Sequence, residues 1–149
     1  PLAMARVASV AVNDGYMTKT RFLMDEEVER VKIVDKARAD VLNEYMKYTS
    51  QGHDKFTRKD VGGKTGTPER WVENSAGKMV TANDGWYICF FEDAAVGRVN
   101  DGERIEERSN IAVAVRMERT YDGTSSMATN LLKEVVVKTL EELGYIEKK

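Results

Sequence analysis

A single cysteine, Cys89, and a single histidine, His53, leave this chain without the raw material for a disulfide framework or a multi-cysteine zinc site. His53 has no second histidine or cysteine at ligand spacing, so no metal is expected. An excess of one charge is also missing. The 23 Lys and Arg against 25 Asp and Glu give a formal net charge of −2, with both signs interspersed. Such a surface has no basic surplus to exchange for the counterions of a nucleic-acid backbone, and nucleic acid is excluded as a partner. No apolar run reaches the roughly 18 residues that a membrane span requires. The first residues lack the charged, apolar and small-residue order of a signal peptide, so any export signal or anchor is expected upstream. Repeats, low-complexity tracts and interdomain linkers are absent too. The 149 residues suffice for one hydrophobic core, that of one domain or part of one. The chain opens on Pro1-Leu2-Ala3-Met4-Ala5-Arg6, already in helical pattern, which reads as a piece of a longer protein.

Met4, Val7, Ala8 and Ala11 share one helical face, and Asn13-Asp14-Gly15 tolerates the left-handed backbone that ends a helix. Asp25 is placed to cap a long helix. Its apolar positions Val28, Val31, Val34, Val41, Leu42, Tyr45 and Met46 recur at spacings near three and four, with Glu26, Glu27 and Glu29 at its positive end and Gly52 near its stop. Val61 opens a short strand in which Gly62 and Gly63 allow close backbone approach. Trp86 to Phe91 is almost continuously apolar, which suits a central strand covered on both faces. Ile111, Val113, Val115 and Met117 alternate with smaller or polar residues and form a further strand. Residues 92 to 109 read as a charged loop or long hairpin. Thr124 to Leu143 carries Met127, Leu131, Leu132, Val135, Val136 and Leu140 on one broad face, a terminal helix that Gly144 stops.

The chemistry is concentrated in Gly62-Gly63-Lys64-Thr65-Gly66-Thr67-Pro68. A cation, two hydroxyls and a position without a side chain lie within four residues, a set that suits a carboxylate held beside a reactive carbonyl. A phosphate-binding P-loop is excluded, because its first glycine would fall at Arg58 and no helix pattern follows.

The stretch resembles the Lys-Thr-Gly box of penicillin-binding proteins and serine β-lactamases, where it is the last of three active-site motifs and lies on a strand lining the site. Its neighbours resemble the same family in the same order. Pro1 to Arg6 with Val12-Asn13-Asp14-Gly15 is similar to the family helix that precedes the box, Asp84-Gly85-Trp86-Tyr87-Ile88 to the strand that follows it, and Ile111 to Val115 to the next strand, before a closing helix. The resemblance implies an α+β fold, a partial β-lactamase/transpeptidase-like arrangement of about three antiparallel strands with flanking helices. Residues 1–149 would then be the C-terminal part of a penicillin-binding transpeptidase domain.

The resemblance also implies a reaction. A serine attacks the penultimate D-alanine carbonyl of a peptidoglycan stem peptide, and an amine of a neighbouring stem resolves the acyl-enzyme; β-lactams imitate the donor. Lys64 and Thr67 would be catalytic, Lys64 through a positive field and Thr67 through a backbone N–H of the oxyanion hole. Thr65 and Thr67 would hold the substrate carboxylate, and Gly66 would keep the strand clear for an extended peptide to pair with its edge. Stem peptides, β-lactams and the rest of the parent domain are the implied partners, in the bacterial envelope outside the cytoplasmic membrane, with no cofactor. Ser75-Ala76-Gly77-Lys78 fits Ser-x-x-Lys by letter but follows the box, and Gly77 disfavours the helix it needs. Thr81-Ala82-Asn83 mimics the middle motif on the same wrong side. The chain is therefore expected to lack its nucleophile. The alternatives are a non-catalytic sensor or binding module and a serine β-lactamase. Cys89 reads as a small core hydrophobe, His53 as an exposed helix-end residue, Trp86 and Tyr87 as core, and Trp71 as packed on the strand end rather than at a cleft rim.

Overall fold

The computed structural model describes residues 1–23, 25–100, 103–120 and 125–148. Helix α1 (Leu2–Ser9) tightens into a 3-10 turn over Val10–Val12. Asp14 and Gly15 then take φ of 51° and 86°, the left-handed turn expected there. Only glycine fits at position 15: a Cβ would lie 2.2 Å from the Val34 carbonyl oxygen. The turn leads into a two-stranded arm, β1 (Tyr16–Thr18) against β2 (Arg30–Lys32).

This arm corrects the helix expected from Asp25. Helix α2 spans Lys36–Gly52, and its cap is Asp35, whose Oδ1 accepts from the Arg38 backbone N–H at 2.9 Å. Upstream, Val28, Val31 and Val34 match helical spacing, but Arg30-Val31-Lys32-Ile33 also alternates with period two and is rich in β-branched residues. Backbone pairing decides between the two periods. The Gly15 carbonyl accepts from both Ile33 and Val34, while Thr18 pairs with Arg30. Glu26, Glu27 and Glu29 therefore sit in the arm, not at a helix terminus.

The main sheet is antiparallel and has four strands among the described residues. Strand β5 (Met79–Asn100) is its centre, with β6 (Glu103–Thr120) along one edge and β3 (Val61–Gly66) and β4 (Glu69–Glu73) end to end along the other. Strand β4 has no counterpart among the strands expected from the sequence. Asn74 closes the β4–β5 hairpin by accepting from the Ala76 and Lys78 N–H groups at 3.0 Å each. Of the two readings for residues 92 to 109, the hairpin is the one formed: β5 and β6 pair out to Asn100 and Glu103.

The alternation of the central strand makes two cores. Tyr87, Cys89 and Phe91 pack with Val61, Val115, Ala128, Leu132 and Ile146 on one face, against the terminal helical run of α3 (Ser125–Leu131), a π-helical stretch Leu132–Val137 and α4 (Lys138–Glu142). Phe90 and Ile88 meet Ala8, Ala11 and Met46 of the first helical segment and α2 on the other face. Full burial of a ring such as Phe90 contributes up to roughly 3 kcal/mol. The expected central strand and α+β class are what the chain forms, and Gly144 at φ 73° ends the last helix. Thr124 lies outside the described residues.

Candidate functional site

The box occupies β3, and each of its glycines has its own surroundings. A Cβ on Gly62 would lie 2.2 Å from the tip of the Phe90 ring, and one on Gly63 would lie 2.4 Å from the Tyr87 hydroxyl. The absent side chains let rings on opposite faces of the sheet close over the strand. Gly66 is different, since its Cβ would meet only Trp86 Cβ at an ordinary 3.5 Å. The protein's own packing does not require glycine there.

On its other edge β3 pairs with no strand among the described residues. Lys64 is exposed, and its Nζ donates to the Thr65 carbonyl at 2.9 Å, with Thr65 Oγ1 at 3.3 Å. No carboxylate pairs with it among the described residues, so its charge is available to an anion. Thr65 is half-buried, and Thr67 is exposed just past the strand end. Below Thr67 the chain is pinned: the Asp84 N–H donates to the Pro68 carbonyl at 3.0 Å. The buried Asp84 carboxylate takes Arg70 at 3.0 Å and Arg116 at 2.6 Å, and Arg116 lies over the Trp86 ring with its guanidinium carbon 5.4 Å from the centroid. The Asp-Gly-Trp stretch thus fixes the downstream end of the box.

The upstream end is held by a network that sequence reasoning missed. Tyr87 reaches past Gly63, donates from its hydroxyl to Asp54 Oδ2 at 2.9 Å and meets Ser50 Oγ at 3.2 Å. Burial, reinforced by the Asp54 carboxylate, pushes the phenol far above its usual range. The other Asp54 oxygen lies 2.8 Å from His53 Nδ1, and Lys133 donates to the Asp54 carbonyl. No spacing rule links Ser50, Asp54 and Tyr87; the one hint was a glycine doublet ahead of an aromatic run.

The family model for the penicillin-binding protein transpeptidase domain matches residues 1–135. The chain belongs to this family. No curated protein and no solved structure matches it. Membership gives the penicillin-binding transpeptidase domain its coarse function, acyl transfer of the transpeptidase type. In this family member, Lys64, Thr65 and Gly66 lie on one strand and Thr67 follows directly.

The remaining sequence candidates fall away from the box edge or into the core. Ser75 and Lys78 belong to the exposed hairpin turn, with Gly77 at φ 73°, and Thr81 to Asn83 lie in β5. Neither stretch forms the helical turn that would bring a lysine under a serine. Cys89 is fully buried, and burial pushes its thiol well above the usual range, which removes it as a nucleophile. Tyr87 is core as expected, while Trp86 is half-buried. Trp71 corrects its expected packing: it is 71% exposed on β4, in register with Thr81.

Proposed function

We propose that the chain is part of a peptidoglycan D,D-transpeptidase and supplies the carboxylate-binding strand of its active site. The observation that carries this reading is the strand itself: Lys64 without a carboxylate partner among the described residues, the Thr65 hydroxyl beside it, exposed Thr67 directly after the strand, and a glycine at 66 that internal packing does not demand. An extended stem peptide would lie along the free edge of β3, with its terminal carboxylate on Thr65, Thr67 and the Lys64 charge. The Thr67 N–H would donate to the developing oxyanion, a type of contact worth on the order of 3 kcal/mol where one has been removed. A β-lactam carboxylate would take the same donors. The acyl group would be carried by a serine on a helix of the parent domain, in the bacterial envelope outside the cytoplasmic membrane. These 149 residues do not acylate alone.

Two measurements test this. Intact-mass spectrometry after incubation with excess penicillin should show no adduct; a stoichiometric adduct abolished in Ser75→Ala would overturn the assignment. Titration with N-acetyl-D-alanyl-D-alanine, followed by amide NMR, should shift Thr65, Gly66 and Thr67, and the C-terminal carboxamide of the same peptide should not. Equal shifts from both peptides would remove the carboxylate from the reading.

A further inference from the structure

His53 lies where the C-terminus of α2, the edge of β3 and the terminal helix converge. It lines two adjoining grooves, one shared with Tyr48, Lys64 and Thr65, the other with Thr65, Asn130 and Lys133. Its side chain is 77% exposed, whereas the Asp54 side chain bonded to it is 2% exposed. The contact through Nδ1 sets the tautomer: a carboxylate oxygen at 2.8 Å can only accept, so Nδ1 carries a proton and Nε2, across the ring, is the nitrogen that Asp54 leaves for a ligand.

The holder is rigid. Asp54 is fixed from its other oxygen by Tyr87, and the Phe56 N–H returns to the Ser50 carbonyl at 2.9 Å. Lys55 between them is held at φ 57°, a left-handed conformation that a non-glycine residue adopts at a cost and that the surrounding bonds enforce. The cations that line these grooves with the ring are Lys64 from β3, Lys55 from the turn and Lys133 from the terminal helix, and α2 adds the Tyr48 phenol. The only acid lining either groove among the described residues is Asp54, which is turned inward to Tyr87 and His53. Such a groove suits an anion.

We propose that His53 is a further ligand-binding residue of the box site: Asp54 orients its ring so that Nε2 contacts a bound carboxylate beside Lys64 and Thr65, most strongly when the ring is protonated. The inference rests on reading the box as a carboxylate site. It adds a pH-dependent contact to the Lys64 and threonine donors of the box. His53 positions and binds; it transfers no proton in this proposal.

The chain has one histidine, so its ring signals in a carbon-correlated NMR spectrum need no assignment. N-acetyl-D-alanyl-D-alanine should shift them together with the Thr65 to Thr67 amides, and the midpoint of the ring's own pH titration should rise when the peptide is bound, as linkage requires. The carboxamide analogue should leave that midpoint unchanged. His53→Ala should weaken peptide binding about two- to fivefold at low pH, the scale of an exposed ion pair. His53→Gln, which keeps a polar group there, should bind at high pH like the parent and lose the gain on acidification. Amide shifts in the box with an unmoved histidine midpoint would overturn this inference and leave the box assignment standing. No shift at the box would remove both.

Discussion

Alanine in place of Gly63 puts a methyl carbon 2.4 Å from Tyr87 Oη and 2.6 and 2.7 Å from two ring carbons. Backbone pairing on β5 and the stacked Phe56 ring, 5.9 Å away between centroids, restrict the direction in which Tyr87 can retreat. Overpacking of this kind costs about 1–3 kcal/mol. The retreat also withdraws the hydroxyl from Asp54 at 2.9 Å and from Ser50 at 3.2 Å, and hydrogen bonds to a charged group are worth about 1.5–3 kcal/mol. Together these predict a loss of about 3–5 kcal/mol, a large share of the stability of any domain. In a chain of this length that lowers the melting temperature by roughly 10 °C. Gly66→Ala is the control: its methyl meets one carbon at 3.5 Å, so its stability should stay within about 1 kcal/mol of the parent. Thermal denaturation followed by far-UV circular dichroism on both variants decides the matter. A Gly63→Ala melt within about 2 °C of the parent, or a Gly66→Ala variant equally damaged, would refute the packing argument for the doublet.

Three further outcomes follow from named contacts. The Arg38 N–H holds the Asp35 carboxyl below its usual 3.8, so the cap stabilises α2 above that pH and the benefit fades as acid protonates the folded form; Asp35→Ala should lower stability at neutral pH and converge with the parent below pH 3.8 in acid titrations followed by circular dichroism. Cys89, buried and with a raised thiol, should react with a disulfide reagent only as fast as the chain opens; rapid labelling of the native protein would contradict its burial. Phe90→Ala empties the space between α1, α2 and the sheet and should cost about 3–5 kcal/mol in chemical denaturation, whereas Trp71→Ser on the exposed β4 face should change stability by about 0.5 kcal/mol or less.

The order of elements was legible because burial leaves strong local patterns. Trp86 to Phe91 reads as a doubly covered strand since, from Tyr87 on, one face meets the terminal helix and the other the first two helices. The start of α2 was misread because Val28, Val31 and Val34 fit a helical repeat while Val31 and Ile33 fit a strand repeat, and the deciding interaction is the distant Gly15 carbonyl. Strand β4 has alternating exposure with Trp71 pointing outward, so it lacks the apolar run that betrays a buried strand. At the site, the box was visible because its chemistry lies in consecutive residues. Asp54 was not: Tyr87 and Lys133 bond to it from 33 and 79 positions away and meet it only through the fold.

Two demands coexist in the glycines of the box strand. At positions 62 and 63 the protein itself fills the space where a side chain would stand, with Phe90 from one face and Tyr87 from the other. These residues therefore set how firmly β3 is clamped, and through Tyr87 and Asp54 they also set where His53 stands. At position 66 nothing in the fold competes for the space, so a demand for glycine there would come from an extended ligand lying on the strand. Substitutions separate the two: alanine at 63 should damage folding and peptide binding together, whereas alanine at 66 should leave the melt intact and weaken binding of N-acetyl-D-alanyl-D-alanine. Unchanged binding by Gly66→Ala would show that the peptide does not approach the strand at that point, and would move the bound carboxylate toward Lys64 and His53.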